Sequence, residues 1–496
     1  MNNENLIKIN TYESEQIKEA YTEGEFILAD YYPPVMRIVR SEAKAFIRSK
    51  TLHGGKLTVE GSVEFTVMYL SDEGQLTPCV HMLPFTHTGD AAVKDGLFEV
   101  AASVSYINTR ALSPQKLYLK ATVEIQTAYA KNIEFSAILP DTNKELYTRK
   151  TELNTFEIVC CGHKPLKVAD EIKPSSSVAC VLRYDAFFKE TEQKILTGKL
   201  ISKADMLLKI VYLTTEGKIE LCDKKVSVSQ ILDMEGIAED TICGVKYSLT
   251  DCKMTVGSVG ESATNGIIYE MTVDVDAVGY TTAKHILCCD AYSANKKVTC
   301  TNAMFRSGGF SKISKDQSFR ETLDIGLYDK IHDISVTPAV LSTDYDKNTE
   351  SLSVSGTFSC RALYTDENGE FSSTEKEIPF MVQIQTDTEA DNVSVSAEMC
   401  INSFAYVEND NSSAELRIAC SYKGFLFISK DVEILTEIQF EEDLCKKDNQ
   451  KLILYFAEKN ESIWEISKKY GVDPDLLMKN NGISCETLSE AVMLRI

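Results

Sequence analysis

Histidine and cysteine are the residues of this chain with the greatest capacity for metal binding and catalysis, and neither is arranged for it. The six histidines fall at unrelated positions of an internal repeat, and the fifteen cysteines include no Cys-x-x-Cys pair. A structural zinc site needs four such ligands at short spacings. The sequence therefore predicts no metal site and no cofactor. The histidines are His53, His81, His87, His163, His285 and His332.

Motifs for nucleotide binding and nucleophilic catalysis are also missing from the sequence. Gly198-Lys199 and Gly217-Lys218 lack the earlier glycine of a phosphate-binding loop, and neither His-Glu-x-x-His nor Gly-x-Ser-x-Gly occurs. The acidic pairs Asp72-Glu73 and Asp366-Glu367 stand just before glycines, which is typical of solvated hairpin tips rather than of catalytic carboxylates. The sequence thus predicts that the protein is not an enzyme.

Charge and hydropathy narrow the possible partners and the compartment. The formal net charge of -22 argues against binding to nucleic acid or to an anionic membrane, both of which require a basic surface. No apolar run is long enough to span a bilayer, and the first residues lack the basic and apolar regions of a signal peptide. The scattered cysteines occupy apolar positions, as in reducing compartments. We therefore expect a cytoplasmic protein.

One stretch of the sequence recurs and organises the rest. Apolar and polar residues alternate from Leu57 to Tyr69, an acidic turn with Gly74 follows, and Pro84-Phe85 closes the stretch. The pattern returns without a gap at 352–380 and more weakly at 200–228, where the closing Pro-Phe is Ser-Val. Such alternation followed by a glycine turn predicts a long strand and a hairpin. The chain is therefore expected to contain three copies of one β-rich unit.

The other strand-like stretches complete three tandem β-sandwich-like domains. We place these domains at 1–145, 146–305 (a degenerate copy) and 306–446, and a smaller domain at 447–496. The segment Glu13–Ala20 is compatible with a short helix or an edge strand, and Val228–Ala238 is expected to be helical. The predicted fold is mainly β, with the small C-terminal domain as its α+β part.

The first unit resembles the SPOCS domain of the SipL family, which acts in endospore morphogenesis. The resemblance rests on Glu25–Pro33, on Val59-Glu-Gly61 and on Val67–Tyr69. It is strongest in the first unit, intermediate in the third and weakest in the second, where Ala204 replaces the glycine. The resemblance implies a non-enzymatic scaffold for spore-coat assembly, in the mother-cell cytoplasm at the forespore surface.

The C-terminal segment has the signals of a small βααβ domain with its single tryptophan at the centre. Trp464 lies in a first predicted helix that ends at Gly471. Asp473 as N-cap and Pro474 at the first position predict a second helix, which Gly482 ends. This segment resembles a LysM domain through Trp464, the run Ile-Ser-Lys-Lys-Tyr-Gly and Asn480-Asn481. Trp464 is expected to be a core residue rather than a ligand platform.

The LysM resemblance implies a groove for N-acetylglucosamine chains of peptidoglycan between two loops. Carried onto this sequence, these loops are Asn460, Glu461, Ser462 and Ile463, and Asn480, Asn481, Gly482 and Ile483. The usual Gly-Asp-Thr before the tryptophan is Asn460-Glu461-Ser462 here, which weakens the case for glycan. The resemblance to SipL-type proteins implies instead that the LysM module binds the coat basement-layer ATPase SpoIVA or an equivalent protein. Peptidoglycan binding remains the alternative.

Overall fold

Antiparallel strands form most of the chain in the computed structural model, which describes residues 4–14, 17–94, 96–140, 146–259, 264–386, 390–443 and 452–496. The first strands are β1 (Glu4–Ser14), β2 (Lys18–Ile27), β3 (Val35–His53), β4 (Lys56–Ser71), β5 (Leu76–Asp90), β6 (Leu97–Ser113) and β7 (Lys116–Ile138). Next come β8 (Tyr147–Ile172), β9 (Val178–Leu196), β10 (Lys199–Thr214), β11 (Ile219–Asp233), β12 (Ile242–Ser258) and β13 (Asn265–Tyr292). The last large group is β14 (Lys296–Asp324), β15 (Lys330–Asp346), β16 (Ser351–Thr365), β17 (Phe371–Gln385), β18 (Asn392–Asp410) and β19 (Ser413–Asp443).

Each unit packs a three-stranded meander against a second sheet built on one long strand. In the first unit the meander is β3-β4-β5, and β7 pairs with β1, β2 and β6 in the second sheet. Buried side chains of the two sheets, such as Phe65 and Leu119, meet in one core. The recurring sequence is the central strand of the meander with its hairpin, as predicted from its alternation. The mainly β fold class is confirmed.

The other two units repeat this plan. Their meanders are β9-β10-β11 and β15-β16-β17, and their second sheets are β12-β13-β8 and β18-β19-β14. The strands β8 and β14 each run along the whole long strand, where the first unit uses β1 and β2. The predicted boundary at 305 falls inside β14, Lys296–Asp324. The boundaries at 145 and 446 fall on residues outside those described.

Two local predictions are settled by the strand pairing. The helix expected at Val228–Ala238 is wrong, because Val228 pairs with Ala204 inside β11 and the chain then turns at Gly236. The segment is therefore the end of a strand followed by a turn. Of the alternatives for Glu13–Ala20, the strand is the one observed: β1 ends at Ser14 and β2 begins at Lys18, and among the described residues only Ile17 lies between them.

The glycine of the recurring stretch is coupled to its phenylalanine across two strands. Gly61 pairs with Phe85 and Gly356 with Phe380, whereas the second unit pairs Ala204 with Val228. A Cβ on Gly61 would lie 2.5 Å from the Phe85 ring and 2.3 Å from the Phe46 carbonyl oxygen. The ring therefore fills the space that the missing side chain leaves. The second unit loses both members of the pair together.

The three meanders converge on a shared apolar centre. Met68, Val211 and Leu363 occupy equivalent positions of β4, β10 and β16, and all three are buried in one cluster. Equivalent residues at the start of the third meander strands, Leu76, Ile219 and Phe371, join the same cluster. The units therefore close around a common pseudo-threefold centre. Burial of this apolar surface fixes the meanders against one another.

A buried charge network lies beside this centre and joins all three units. Arg40 of β3 donates to Asp333 of β15 at 3.1 Å, and Arg183 of β9 donates to both oxygens of the same carboxylate at 3.1 and 3.0 Å. The three residues hold equivalent positions, opposite Met68, Val211 and Leu363 respectively. The third unit thus replaces arginine with the carboxylate that both arginines bind. Pairing of this kind makes burial of the charges tolerable.

The charge of Glu42 is held in the same network. Burial alone would raise its pKa, but the guanidinium groups of Arg40 and Arg183 dominate and hold the pKa of Glu42 at about 2. Arg40 donates to this carboxylate and also to Ser335 Oγ at 2.6 Å. Glu42 is therefore ionised in the folded state across the usual pH range.

The C-terminal domain follows the predicted order β20 (Leu454–Ala457), α1 (Ile463–Tyr470), α2 (Pro474–Asn481) and β21 (Val492–Arg495). The predicted helix signals are confirmed. Asp473 accepts from the backbone N–H groups of Asp475 and Leu476, and Gly471 and Gly482 end the two helices at φ 67° and 64°. The core of this domain is formed by six buried apolar residues: Ala457, Ile463, Ile466, Leu477, Leu488 and Leu494.

Candidate functional site

The first predicted groove loop of the C-terminal domain pairs with the segment before β21. Asn460 has the left-handed φ of 72° expected where the related pattern has glycine. The Asn460 N–H donates to the Leu488 carbonyl at 2.8 Å, and the Leu488 N–H donates to the Glu461 carbonyl at 3.0 Å. The Ile463 N–H donates to the Glu486 carbonyl at 2.8 Å. Much of this loop's backbone is therefore used inside the domain.

The second predicted loop is tied to β21 instead. The Asn481 amide donates to the Arg495 carbonyl at 2.9 Å, and its oxygen accepts from the Arg495 N–H at 2.7 Å. The Ile483 N–H donates to the Met478 carbonyl, and the side chain packs on the core. Within the described residues no hydrogen bond joins this loop to Asn460–Ile463. Asn481 therefore acts as a clamp between α2 and β21.

Few of the predicted side chains remain free for a ligand. Ile463 is buried in the core, and the Glu461 carboxylate accepts from the Tyr455 hydroxyl at 2.7 Å and from the Glu458 N–H at 2.8 Å. These bonds lower the pKa of Glu461, chiefly through Tyr455. Asn460 and Asn480 are exposed, and Ser462 makes no side-chain capping bond. The groove prediction thus leaves two exposed amides and one hydroxyl, because the N–H of the exposed Gly482 already donates to the Lys479 carbonyl.

The segment Ser484–Thr487 is exposed beside the first loop and was not among the predicted site residues. Ser462 forms an isolated antiparallel bridge with Thr487. The one signal for this arrangement is Leu488, an apolar residue in a polar run that anchors the segment to the core. Any ligand of the first loop would therefore meet this segment as well.

Trp464 is buried, but the prediction that it forms the centre of the C-terminal domain is wrong. Its indole N–H donates to the Asp290 carboxylate of β13 at 2.8 Å, and its ring meets that of Tyr292 edge-on at 5.0 Å. The side chain is 8% exposed because the second unit covers it. From the sequence, a lone aromatic residue of this kind is expected in the core of its own domain, because the sequence does not show that the second unit covers it.

Further contacts hold the C-terminal domain against the second unit. The Lys468 ammonium donates to both Asp290 oxygens at 2.7 and 2.8 Å, and the Tyr292 hydroxyl donates to the Val472 carbonyl at 2.7 Å. A Cβ on Gly471 would lie 3.7 Å from the Ala294 Cα. The face of α1 and the turn after it thus form an interface with residues 290–294. The loops around Asn460 and Asn480 stay exposed.

Comparison with known protein families assigns the repeated units and the tail. A model of the SipL, SPOCS domain matches residues 34–111 and 177–256. A model of the LysM domain matches residues 457–490. Two segments of the chain are thus similar to the SPOCS domain, and one C-terminal segment is similar to the LysM domain. No curated protein and no solved structure matches the chain.

The SPOCS matches run from β3 into β6 and from just before β9 into β12. They include the second unit, whose resemblance is the weakest in the sequence. The loss of Gly61 and Phe85 equivalents there is a paired change that keeps the strand register, so the second meander retains the plan of the first. The strands β15–β18 have the same order in the third unit.

A cleft of about 450 Å³ lies between the second and third units. Phe187, Ile334 and Phe404 form apolar walls, and Lys209 lines it as well. Its polar wall is the Arg183–Asp333 pair, whose groups already bond one another.

Among the described residues no group of three or more His, Cys, Asp or Glu side chains is placed to hold a metal ion. The helices among the described residues are all too short to span a bilayer.

Proposed function

We propose that this protein is a non-enzymatic scaffold of spore-coat morphogenesis. It acts in the mother-cell cytoplasm at the forespore surface, and its LysM domain docks a coat basement-layer protein such as SpoIVA. The observation that carries the proposal is the combination of SPOCS domains with a LysM domain in one chain. Both are binding domains, so the function is assembly rather than chemistry.

The arrangement of the domains supports a scaffold role. The three units share an apolar centre and a buried charge network, and the LysM domain is held on the second unit through Asp290. A partner that binds the LysM domain is therefore held at a defined position relative to the SPOCS units. Such preorganisation lowers the entropy lost on assembly.

Peptidoglycan binding is the second candidate function, because the LysM match and the exposed loops favour it. A glycan would meet the exposed Asn460 and Asn480 side chains and the exposed Ser484–Thr487 segment. Against this, Glu461, Ile463 and Asn481 make bonds or contacts inside the domain. A glycan site needs backbone and amide groups free to bond each acetamide.

Co-sedimentation of the full chain with purified peptidoglycan sacculi, and its capture by immobilised SpoIVA, separate the two functions. We expect capture by SpoIVA and no retention on sacculi. The variant Asn480→Ala should lower retention if glycan is the ligand, and Ser489→Ala, at another exposed position, is the matched control. Retention on sacculi without capture by SpoIVA would contradict the scaffold proposal.

A further inference from the structure

The outer edge of β20 in the LysM domain is open. The Ile496 N–H donates to the Ile453 carbonyl, and β20 pairs with β21 in a two-stranded sheet. Antiparallel strands direct the backbone groups of alternate residues toward the partner strand. The N–H and C=O groups of Leu454 and Phe456 therefore point away from β21. Among the described strands β20 has no second neighbour.

The opposite edge of the sheet is closed. Arg495 of β21 lies opposite Leu454, so its backbone groups also point outward. Both of them are bonded to the Asn481 side chain, the N–H at 2.7 Å and the C=O at 2.9 Å. An additional strand can therefore join this sheet only along β20. Native proteins usually protect such open edges unless they are used.

The outer face beside this edge is apolar. Leu454 is 60% exposed, Phe456 is 69% exposed and Met493, which pairs with Phe456, is 60% exposed. Period-two alternation places them on one face, with Tyr455 and Ala457 on the core side. These exposures hold with the LysM domain docked on the second unit. Grouped exposed apolar side chains of this kind mark interaction surfaces.

Charge distinguishes between two possible occupants of the edge. Arg495 lies on the same outer face and is exposed, so it can bind an acidic side chain of an incoming strand. The net charge of -22 opposes close association of two copies of the chain. These charges favour a different protein over a second copy.

We propose that β20 accepts an extended segment of a partner protein by strand addition. The segment pairs its backbone with Leu454 and Phe456, places apolar side chains over Phe456 and Met493, and offers an acidic residue to Arg495. Backbone pairing supplies affinity, and the apolar face supplies specificity. The inference rests on the proposed function, because it specifies how the LysM domain docks its protein partner.

The test compares binding of full-length variants to immobilised SpoIVA. Phe456→Ala removes the side chain, and Phe456→Pro also removes the outward N–H, which makes no bond within the sheet. We expect Phe456→Pro to bind at least tenfold more weakly than Phe456→Ala. Met493→Glu should also lose at least tenfold, whereas Met381→Glu, a methionine of β17 that is 61% exposed, should stay within twofold of the unmodified chain.

Hydrogen exchange gives an independent readout. The amides of Leu454 and Phe456 should exchange fast in the free chain and gain at least tenfold protection with SpoIVA bound, and Trp464 fluorescence checks that each variant is folded. Equal binding by Phe456→Pro and Phe456→Ala, or unprotected amides in the complex, would overturn strand addition while leaving the scaffold function intact. A dimer of the free chain that Met493→Glu dissociates would also overturn it, in favour of a second copy. Absence of any binding by the unmodified chain would overturn the scaffold function itself.

Discussion

Replacement of Asp290 by alanine should release the LysM domain from the second unit. The carboxylate accepts the Trp464 indole N–H and both bonds from Lys468, so Asp290→Ala removes these three bonds at once and leaves the hydrogen bond from the Tyr292 hydroxyl to the Val472 carbonyl. The contact between the Trp464 and Tyr292 rings remains. The variant therefore weakens docking without removing apolar surface.

The expected size of the effect follows from the two kinds of bond. A hydrogen bond from a buried donor to a carboxylate contributes about 1.5–3 kcal/mol. The Lys468 side chain is 41% exposed, so its ion pair contributes less than about 1 kcal/mol after solvent screening. We expect docking to weaken by about 2–3 kcal/mol in total, which is a factor of roughly 30 to 150 in the opening equilibrium.

Trp464 is the single tryptophan of the chain, so its signals report docking directly. The exchange rate of its indole N–H measures the opening equilibrium and should rise by the same factor in Asp290→Ala. Collisional quenching of its fluorescence should increase in parallel. Lys468→Ala should show a smaller change, and Lys469→Ala, which alters the next residue but not the ion pair, is the matched control. Unchanged indole exchange in Asp290→Ala would refute the docked arrangement.

Four further variants test the first and third β-rich units by urea unfolding of the full chain. Gly61→Ala should destabilise the first unit by about 1–3 kcal/mol, because the new methyl group meets a backbone carbonyl and the Phe85 ring. The double variant Gly61→Ala with Phe85→Val should recover part of that loss. Additive effects of the two substitutions would contradict the coupling. Asp333→Asn should cost about 3–5 kcal/mol because two buried arginines lose their shared carboxylate, and an effect below about 1 kcal/mol would contradict the network. Burial lowers the pKa of His332 from 6.5 to about 4, so the folded state disfavours protonation of this ring. The free energy of unfolding should therefore decrease by about 1–2 kcal/mol as the pH is lowered from 6.5 to 4, a value reduced for the partly exposed ring. His332→Gln should remove this pH dependence, and an unaltered pH dependence would contradict the assignment.

The strands and the helix caps could be predicted from the sequence because their signals are local. Alternation from Leu57 to Tyr69 needs only one buried face, and the Asp473-Pro474 pair determines a helix start by itself. The helix prediction for Val228–Ala238 was wrong because it too used only local signals. Val228 and Leu232 suit a strand or a helix face equally, and the pairing with β10 that decides between them is not local.

Closure of the units around one centre could not be predicted from the sequence. Arg40, Arg183 and Asp333 are single charges in alternating strands, and nothing near them in sequence indicates that they meet. Their equivalence appears only when the strand register is known, because each lies opposite the same position of a central meander strand. The change from arginine to aspartate in the third unit hides the relation further.

The binding role of the candidate loops stays a prediction, and the structure adds which of their groups are already bonded within the domain. Asn460 is exposed and has a left-handed φ, but three backbone groups of its loop are bonded to the segment before β21. Asn481 is used to close a sheet edge. Hydrogen bonds within the domain compete for the same groups that a glycan would need, and this competition depends on tertiary structure.

Localisation in sporulating cells tests the scaffold proposal most directly. A fluorescent fusion of the full chain should surround the forespore, and the same fusion ending at Asp443, without the LysM domain, should lose that localisation. The proposal predicts this difference because the LysM domain supplies the contact with the coat basement layer. A diffuse mother-cell signal from both fusions, or forespore localisation that persists without the LysM domain, would contradict it.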